Sequence, residues 1–127
     1  MPRRPATQPT EAELEVLRVL WDRGQSTVRE VHEVLQRTRR TGLTTTLKIL
    51  QVMTRKGLVL RDSDVYPHRY RAAAGARKVQ TRLVRDLARR AFDGSVSQLL
   101  VRAVEGGGLS EDELKELRKL IDEVRKS

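Results

Sequence analysis

The chain of 127 residues has no cysteine, and only 3% of its residues are aromatic. The lack of cysteine excludes disulfide bonds, thiolate metal sites and cysteine nucleophiles. With so few aromatic rings, stacking platforms for single-stranded nucleic acid are scarce. No run approaches the roughly 18 apolar residues of a membrane helix, and no apolar segment follows Met1 to Pro5 as it would in a secretory signal. We therefore expect a cytoplasmic protein that makes no membrane contact.

The net charge of the whole chain is +9, and acidic residues are missing from one long stretch. Between Glu33 and Asp62 there is no Asp or Glu, and the basic residues in this window are Arg37, Arg39, Arg40, Lys48, Arg55, Lys56 and Arg61. Such segregation is typical of a surface that binds phosphates. A solvated basic face would give the same pattern, so the position of the cluster in the fold decides between the two.

Helical signals dominate the first part of the chain. Two capping boxes, Thr10-Glu11-Ala12-Glu13 and Thr27-Val28-Arg29-Glu30, each predict the start of a helix with an apolar face. A third helix is predicted to begin around Thr41-Gly42 and to end at Gly57. It lies within the acid-free window.

The predicted third helix has two different faces. Its buried face would hold Thr46, Ile49, Leu50 and Met53, and the opposite face holds Thr44, Lys48, Gln51 and Arg55. Hydroxyl and amide groups can reach base edges in the major groove of DNA, while Lys and Arg bind phosphates or guanine. Leu43 and Leu47 either pack locally or contact a thymine methyl group.

Short extended runs follow this helix, at residues 58–61 and 68–70, and predict a two-stranded hairpin. Three helices followed by a hairpin predict a winged helix-turn-helix domain over residues 10–74, after a flexible leader over 1–9. A hairpin with a purely structural role is the alternative. Asp62, Asp64 and His68 form an incomplete ligand set, so we expect no metal there and no cofactor elsewhere.

Residues 75–127 show the pattern of three more amphipathic helices, which completes a mainly α fold with a small β-hairpin wing. So short a segment can hardly bury all its apolar faces alone. We expect a homodimer whose interface contains Leu83, Leu87, Leu99, Leu100, Leu117 and Ile121. A monomer in which this segment folds back on the first domain is the alternative. The first of these helices also carries a basic stripe that is either solvated or extends the DNA footprint, formed by Arg77, Lys78, Arg82, Arg85, Arg89 and Arg90.

Over nearly its whole length the chain resembles the penicillinase repressor (BlaI/MecI/CopY) family of bacterial winged-helix regulators. The resemblance rests on the order and spacing of several motifs, which are Thr10 to Leu17 with Leu20-Trp21, Thr27 to His32, Thr44-Thr45 ahead of Leu50-Gln51, Lys56 to Val59, His68-Arg69-Tyr70, Gly94-Ser95-Val96 and Leu109-Ser110. It implies a homodimeric repressor that binds a palindromic operator until a signal, such as a sensor protease or an inducer, removes it. The residues that we expect to contact DNA are Arg39, Arg40, Thr44, Thr45, Lys48, Gln51, Arg55 and Arg69.

The chain departs from the family at three points. Val52 stands where many members have an arginine beside the glutamine of the recognition helix, which removes one phosphate contact. The cysteine motif of the copper-responsive branch is absent, which argues against copper sensing of that kind. Arg102-Ala103 occupies the position of the Asn-Phe bond that a sensor protease cuts in resistance-linked members, so that mode of induction is in question.

Other classes of function fit the sequence less well. An enzyme is disfavoured because the chain has only two histidines, His32 and His68, and neither lies in a recognisable catalytic or phosphate-binding motif. A non-specific nucleic-acid-binding or architectural protein would share the basic face without reading sequence. A winged helix used only for protein contacts is disfavoured by the acid-free window.

Overall fold

The computed structural model describes residues 8–126, so most of the predicted leader over 1–9 lies outside the described residues. The elements in this range are α1 (Glu11–Arg23), β1 (Ser26–Thr27), α2 (Val28–Leu35), α3 (Leu43–Lys56), β2 (Val59–Asp62), β3 (Arg69–Ala72), α4 (Ala76–Ala91), α5 (Val96–Glu105) and α6 (Glu111–Lys126). This confirms the predicted fold class, a mainly helical chain with a small antiparallel sheet. No helix in the described range is long and apolar enough to cross a membrane.

Both predicted capping boxes of the first part of the chain are formed. The Thr10 hydroxyl accepts a hydrogen bond from the backbone N–H of Glu13, and the Glu13 carboxylate accepts one from the N–H of Thr10. Thr27 and Glu30 repeat this arrangement at the start of α2, over 3.2 and 2.8 Å. Each box satisfies two backbone donors that a helix start leaves free, so these local pairs fix where α1 and α2 begin.

Glycines mark both ends of α3, as predicted. Gly42 is the N-cap residue and supplies no side-chain hydrogen bond. Gly57 follows the last turn with φ 81° and ψ 17°, a left-handed conformation that residues with a β-carbon rarely adopt. Its N–H donates to the carbonyl oxygens of Met53 and Thr54, which ends the helix and turns the chain into β2.

The sheet has three strands, whereas the sequence predicted two. Its order is β1-β3-β2, with all neighbours antiparallel, and Tyr70 of the central strand pairs with Ser26 on one side and Arg61 on the other. The two-strand prediction was incomplete because β1 contains only Ser26 and Thr27. So short a segment shows no alternation of apolar and polar residues by which a strand is recognised.

A single apolar core joins α1, α2, α3 and the sheet. Its fully buried side chains include Leu17 of α1, Val31 of α2, Leu50 and Met53 of α3 and Val59 of β2. Trp21 is half-buried at the edge of this core, and its indole N–H donates to the carbonyl oxygen of Ala74 over 3.0 Å. The core therefore fixes the orientation of α3 against α1 and α2.

The chain divides into two compact units, residues 1–80 and 81–127. The division falls inside α4, whereas the sequence suggested a boundary between residues 74 and 75. In the second unit, Ser110 and Glu113 form a capping box at the start of α6, over 3.1 and 2.9 Å. No residue of α5 or α6 is buried among those described.

Candidate nucleic-acid interface

The solvent-facing side of α3 carries four of the predicted DNA-binding residues in one stripe. Thr44, Lys48, Gln51 and Arg55 are all exposed, and their spacing of four, three and four residues places them on one helix face. The opposite face holds Thr46, Leu50 and Met53, each fully buried. Burial of one face thus turns the other toward solvent. Thr45 is exposed but lies beside this stripe, near the start of the helix.

Two leucines, for which the sequence allowed either local packing or a contact with DNA, lie between these faces. Leu43 and Leu47 are both half-buried, at the edge of the exposed stripe. Each therefore packs in part against the domain and still shows apolar surface beside Thr44 and Gln51. Apolar surface at this position is the kind that contacts a thymine methyl group.

Two basic residues of the acid-free window are paired with carboxylates of α1. The ammonium group of Lys56 lies 2.8 and 3.0 Å from the two carboxylate oxygens of Glu13. The guanidinium of Arg39 lies 2.6 Å from the carboxylate of Glu15. These pairs join residues at least 24 positions apart, which a charge count along a window does not detect. They leave Lys48 and Arg55 as the basic side chains of the α3 stripe.

The remaining predicted contact residues lie outside α3. Arg40 is exposed in the loop before α3 and forms no ion pair within residues 8–126. Arg69 is exposed on β3, with its guanidinium 3.9 Å from the carboxylate of Glu30. Arg39 is held by Glu15, as described above, so the structure does not bring it onto the α3 stripe.

Arg71 is a basic residue of the wing that the sequence analysis did not select. It lies two residues after Arg69 on β3, and both are exposed while Tyr70 between them is buried. Alternation along the strand therefore places both guanidiniums on one face of the sheet. The run Arg69-Tyr70-Arg71 carried this signal, because a buried aromatic residue in a strand turns both neighbours outward.

A buried polar contact connects α2 to α3 directly behind the exposed stripe. His32 is 9% exposed, and its Nδ1 lies 3.0 Å from the hydroxyl oxygen of the fully buried Thr46. A buried polar group without a partner would cost free energy, so each side chain favours the position of the other. The pair fixes the turn of α3 that carries Thr44 and Thr45. His32 therefore has a structural contact.

Glu30 ties the start of α2 to the wing. The backbone N–H of Thr27 donates to its carboxylate and lowers the pKa of Glu30 from the ordinary value of 4.5. The carboxylate lies 3.6 Å from Arg23 and 3.9 Å from Arg69, and both guanidiniums lower the pKa further. These exposed pairs orient Arg69 without binding it tightly.

The wing residues that the sequence considered as metal ligands make other contacts in the structure. Among residues 8–126 there is no group of three or more His, Asp or Glu side chains placed to hold a metal ion. The ring of His68 instead lies edge-on to Tyr66, with ring centres 5.8 Å apart. Asp62 accepts a hydrogen bond from the backbone N–H of Asp64 and closes the turn.

The predicted dimer-interface residues lie in α4, α5 and α6, and none of them is buried. Leu83, Leu99 and Leu117 are half-buried, while Leu87, Leu100 and Ile121 are exposed to 48%, 45% and 54%. Leu100 and Leu117 line an open groove of about 670 Å³ between α5 and α6, together with Ala103, Leu109 and Leu120. The second unit by itself therefore leaves a large share of its apolar surface in contact with solvent.

Comparison with known proteins agrees with this architecture. The model of the penicillinase repressor family matches residues 9–123. The transcriptional regulator BlaI of Mycobacterium tuberculosis is 36% identical over 116 residues, which cover 90% of this chain and 83% of the relative. The methicillin resistance regulatory protein MecI of Mammaliicoccus sciuri is 22% identical over 113 residues, which cover 89% of this chain and 92% of the relative. The family consists of transcriptional regulators rather than enzymes. The chain belongs to the penicillinase repressor family of bacterial transcriptional regulators, as its sequence motifs predicted.

Proposed function

We propose that this transcriptional regulator is a homodimeric repressor that binds an inverted-repeat DNA operator with α3 in the major groove. The observation that carries the proposal is the exposed stripe of Thr44, Lys48, Gln51 and Arg55, held outward by the buried face of the same helix. Short polar groups near the start of the helix suit base edges, and the cations suit phosphates or guanine. Arg40, Arg69 and Arg71 extend the basic surface beyond α3.

A second copy of the chain is the partner that best explains the second unit. Of the large apolar side chains that are exposed within residues 8–126, ten lie on α4, α5 and α6 and only three lie on the wing. An exposed apolar surface of this kind is typical of an interface. Two copies related by a two-fold axis would cover it and would present two α3 helices to the two halves of a palindrome.

The repressor would leave the operator if its two DNA-binding units were no longer joined through the dimer. In a dimer, binding of one first unit to its half-site holds the other first unit at a high effective concentration near the second half-site. A first unit that is cut from the dimer loses this advantage. Arg102 and Ala103 are exposed on α5, so a protease could reach this position, although the two residues differ from the bond cut in resistance-linked relatives. A ligand or partner that opens the dimer would have the same result. A repressor of bacterial DNA would act in the cytoplasm.

DNase footprinting on the DNA upstream of the gene tests the proposal. We expect protection of an inverted repeat that persists in the presence of excess unrelated duplex DNA. Protection spread evenly along the fragment and removed by the competitor would instead indicate a non-specific architectural protein. A reporter gene placed behind the protected repeat then tests repression, with a scrambled repeat as the matched control.

A further inference from the structure

The loop at the tip of the wing exposes apolar and acidic side chains, whereas α3 and the loop before it carry only basic charges. Tyr66 is 91% exposed and Val65 is 41% exposed, in the turn between β2 and β3. Asp62 and Asp64 precede them, and the Asp64 carboxylate forms no ion pair within the described part of the chain. A carboxylate at the tip repels DNA phosphates, so this loop is poorly suited to the DNA backbone. It suits an apolar surface with a positive rim.

Such a surface exists on the same domain, between α1 and the end of α2. It is an open groove of about 820 Å³. Its apolar lining comes from the half-buried Trp21 and Val34, above the buried core residues Val19 and Leu35. Arg18 and Arg37 lie on its rim, and neither forms an ion pair within residues 8–126. The lining contains two acidic residues, and one of them, Glu15, is paired with Arg39. Asp22 is therefore the one carboxylate of the lining that offsets the positive charge of Arg18 and Arg37.

We propose that the wing tip of one copy docks into the α1–α2 groove of a second copy. Tyr66 and Val65 would contact the apolar lining, and Asp64 would face Arg18 and Arg37. The contact joins two different surfaces, so it is heterologous: the copy that contributes its wing tip keeps a free groove, and the other copy keeps a free wing tip. It is distinct from the proposed dimer interface, because all of its residues lie within residues 1–80.

The small size of the loop sets the strength of this contact. A turn of six residues, 63–68, cannot bury the roughly 1,000 Å² that a stable interface needs, so the free protein would associate only weakly. Copies that occupy neighbouring sites on one DNA molecule are at a much higher effective concentration. There the contact would make binding to adjacent sites cooperative.

Photo-crosslinking of the full chain without DNA tests the docking directly, so the outcome does not depend on whether the protein reads an operator. Tyr66 is replaced by p-benzoylphenylalanine, and unlabelled and heavy-nitrogen-labelled protein are unfolded and refolded together before illumination. The expected product joins residue 66 of one copy to a peptide within residues 15–38 of another, seen as a mixed light and heavy species. Crosslinks to any other surface, or only within one copy, would overturn the proposal.

Charge reversal supplies the second test. Asp64→Arg should lower the yield of this product at low salt roughly fivefold, the upper range for an exposed ion pair. Combining Asp64→Arg with Arg18→Asp and Arg37→Asp should restore it, because the same charges then face each other in exchanged positions. Arg85→Asp on the exposed face of α4 changes the net charge without touching either surface and should leave the yield unchanged. If none of these substitutions changed the yield of the crosslinked product, the assigned contact would be ruled out. If residue 66 crosslinked to DNA once duplex was added, the wing tip would be assigned to DNA instead.

Discussion

The ammonium group of Lys56, the last residue of α3, lies within 3.0 Å of both carboxylate oxygens of Glu13 in the first turn of α1. The Glu13 side chain is only 6% exposed and the Lys56 side chain 23% exposed, so water screens this pair less than a surface ion pair. Glu13 also closes the capping box with Thr10. One carboxylate thus fixes both the start of α1 and the end of α3.

Removing the cation of this pair should destabilise the first unit. Lys56→Met keeps most of the side-chain volume but leaves the Glu13 carboxylate largely buried without its cation. We expect a loss of about 1–3 kcal/mol in the free energy of unfolding, more than for an exposed ion pair and less than for a fully buried one. Urea unfolding followed by the fluorescence of Trp21, the only tryptophan, measures it. Arg55→Met, at the exposed neighbouring position, is the control and should unfold like the parent chain, whereas equal losses in both variants would contradict a specific role of the pair.

The α3 cations should set the salt dependence of DNA binding. Each phosphate that a basic side chain neutralises contributes about 0.9 to the slope of log affinity against log salt concentration. Lys48→Ala and Arg55→Ala should each lower the affinity and reduce this slope by about that amount. Titrations at several salt concentrations measure both. Arg118→Ala, an exposed residue of α6, serves as the control, and an unchanged slope in the α3 variants would remove these residues from the interface.

The capping carboxylate of α2 should make stability depend on pH. Because its pKa is lowered in the folded protein, Glu30 contributes stability above the ordinary value of 4.5, and this contribution disappears as the pH falls through the folded-state pKa. Glu30→Gln can still close the capping box but cannot titrate. Thermal melts from neutral to acidic pH should therefore show a smaller loss of Tm for Glu30→Gln than for the parent chain. Identical pH profiles would mean that this carboxylate does not contribute to the acid sensitivity.

A charged residue in the apolar groove of the second unit should break the proposed dimer. Leu117→Asp places a carboxylate among Leu100, Leu109 and Leu120. Burying an unpaired charge in an interface costs several kcal/mol, so sedimentation equilibrium should show monomers at concentrations where the parent chain is dimeric. Trp21 fluorescence should stay unchanged, because Trp21 belongs to the first unit. Arg118→Asp adds the same charge at an exposed neighbour and should remain dimeric; a dimeric Leu117→Asp variant would place the interface elsewhere.

Patterns that depend on residues a few positions apart predicted most of the fold. The capping boxes join residues three positions apart, and the face of α3 repeats with the helical period, so both could be recognised in the sequence. Contacts between segments that are distant in the chain could not be recognised in the sequence. Nothing near Arg39 indicated that Glu15 would bind it, and nothing near His32 indicated Thr46 as its partner. The two residues of β1 are a strand only because β3 lies beside them.

The spacing of the two operator half-sites tests whether one dimer places both of its α3 helices on the same face of the DNA. We expect tight binding of one dimer to an inverted repeat whose half-sites are centred about 10 base pairs apart or a multiple of that, since both α3 helices must enter major grooves on one face of the DNA. Inserting about 5 base pairs, half a helical turn, should abolish tight binding, and inserting a full turn should change it less. An affinity that these insertions leave unchanged would contradict a dimer that binds both half-sites at once through its two α3 helices.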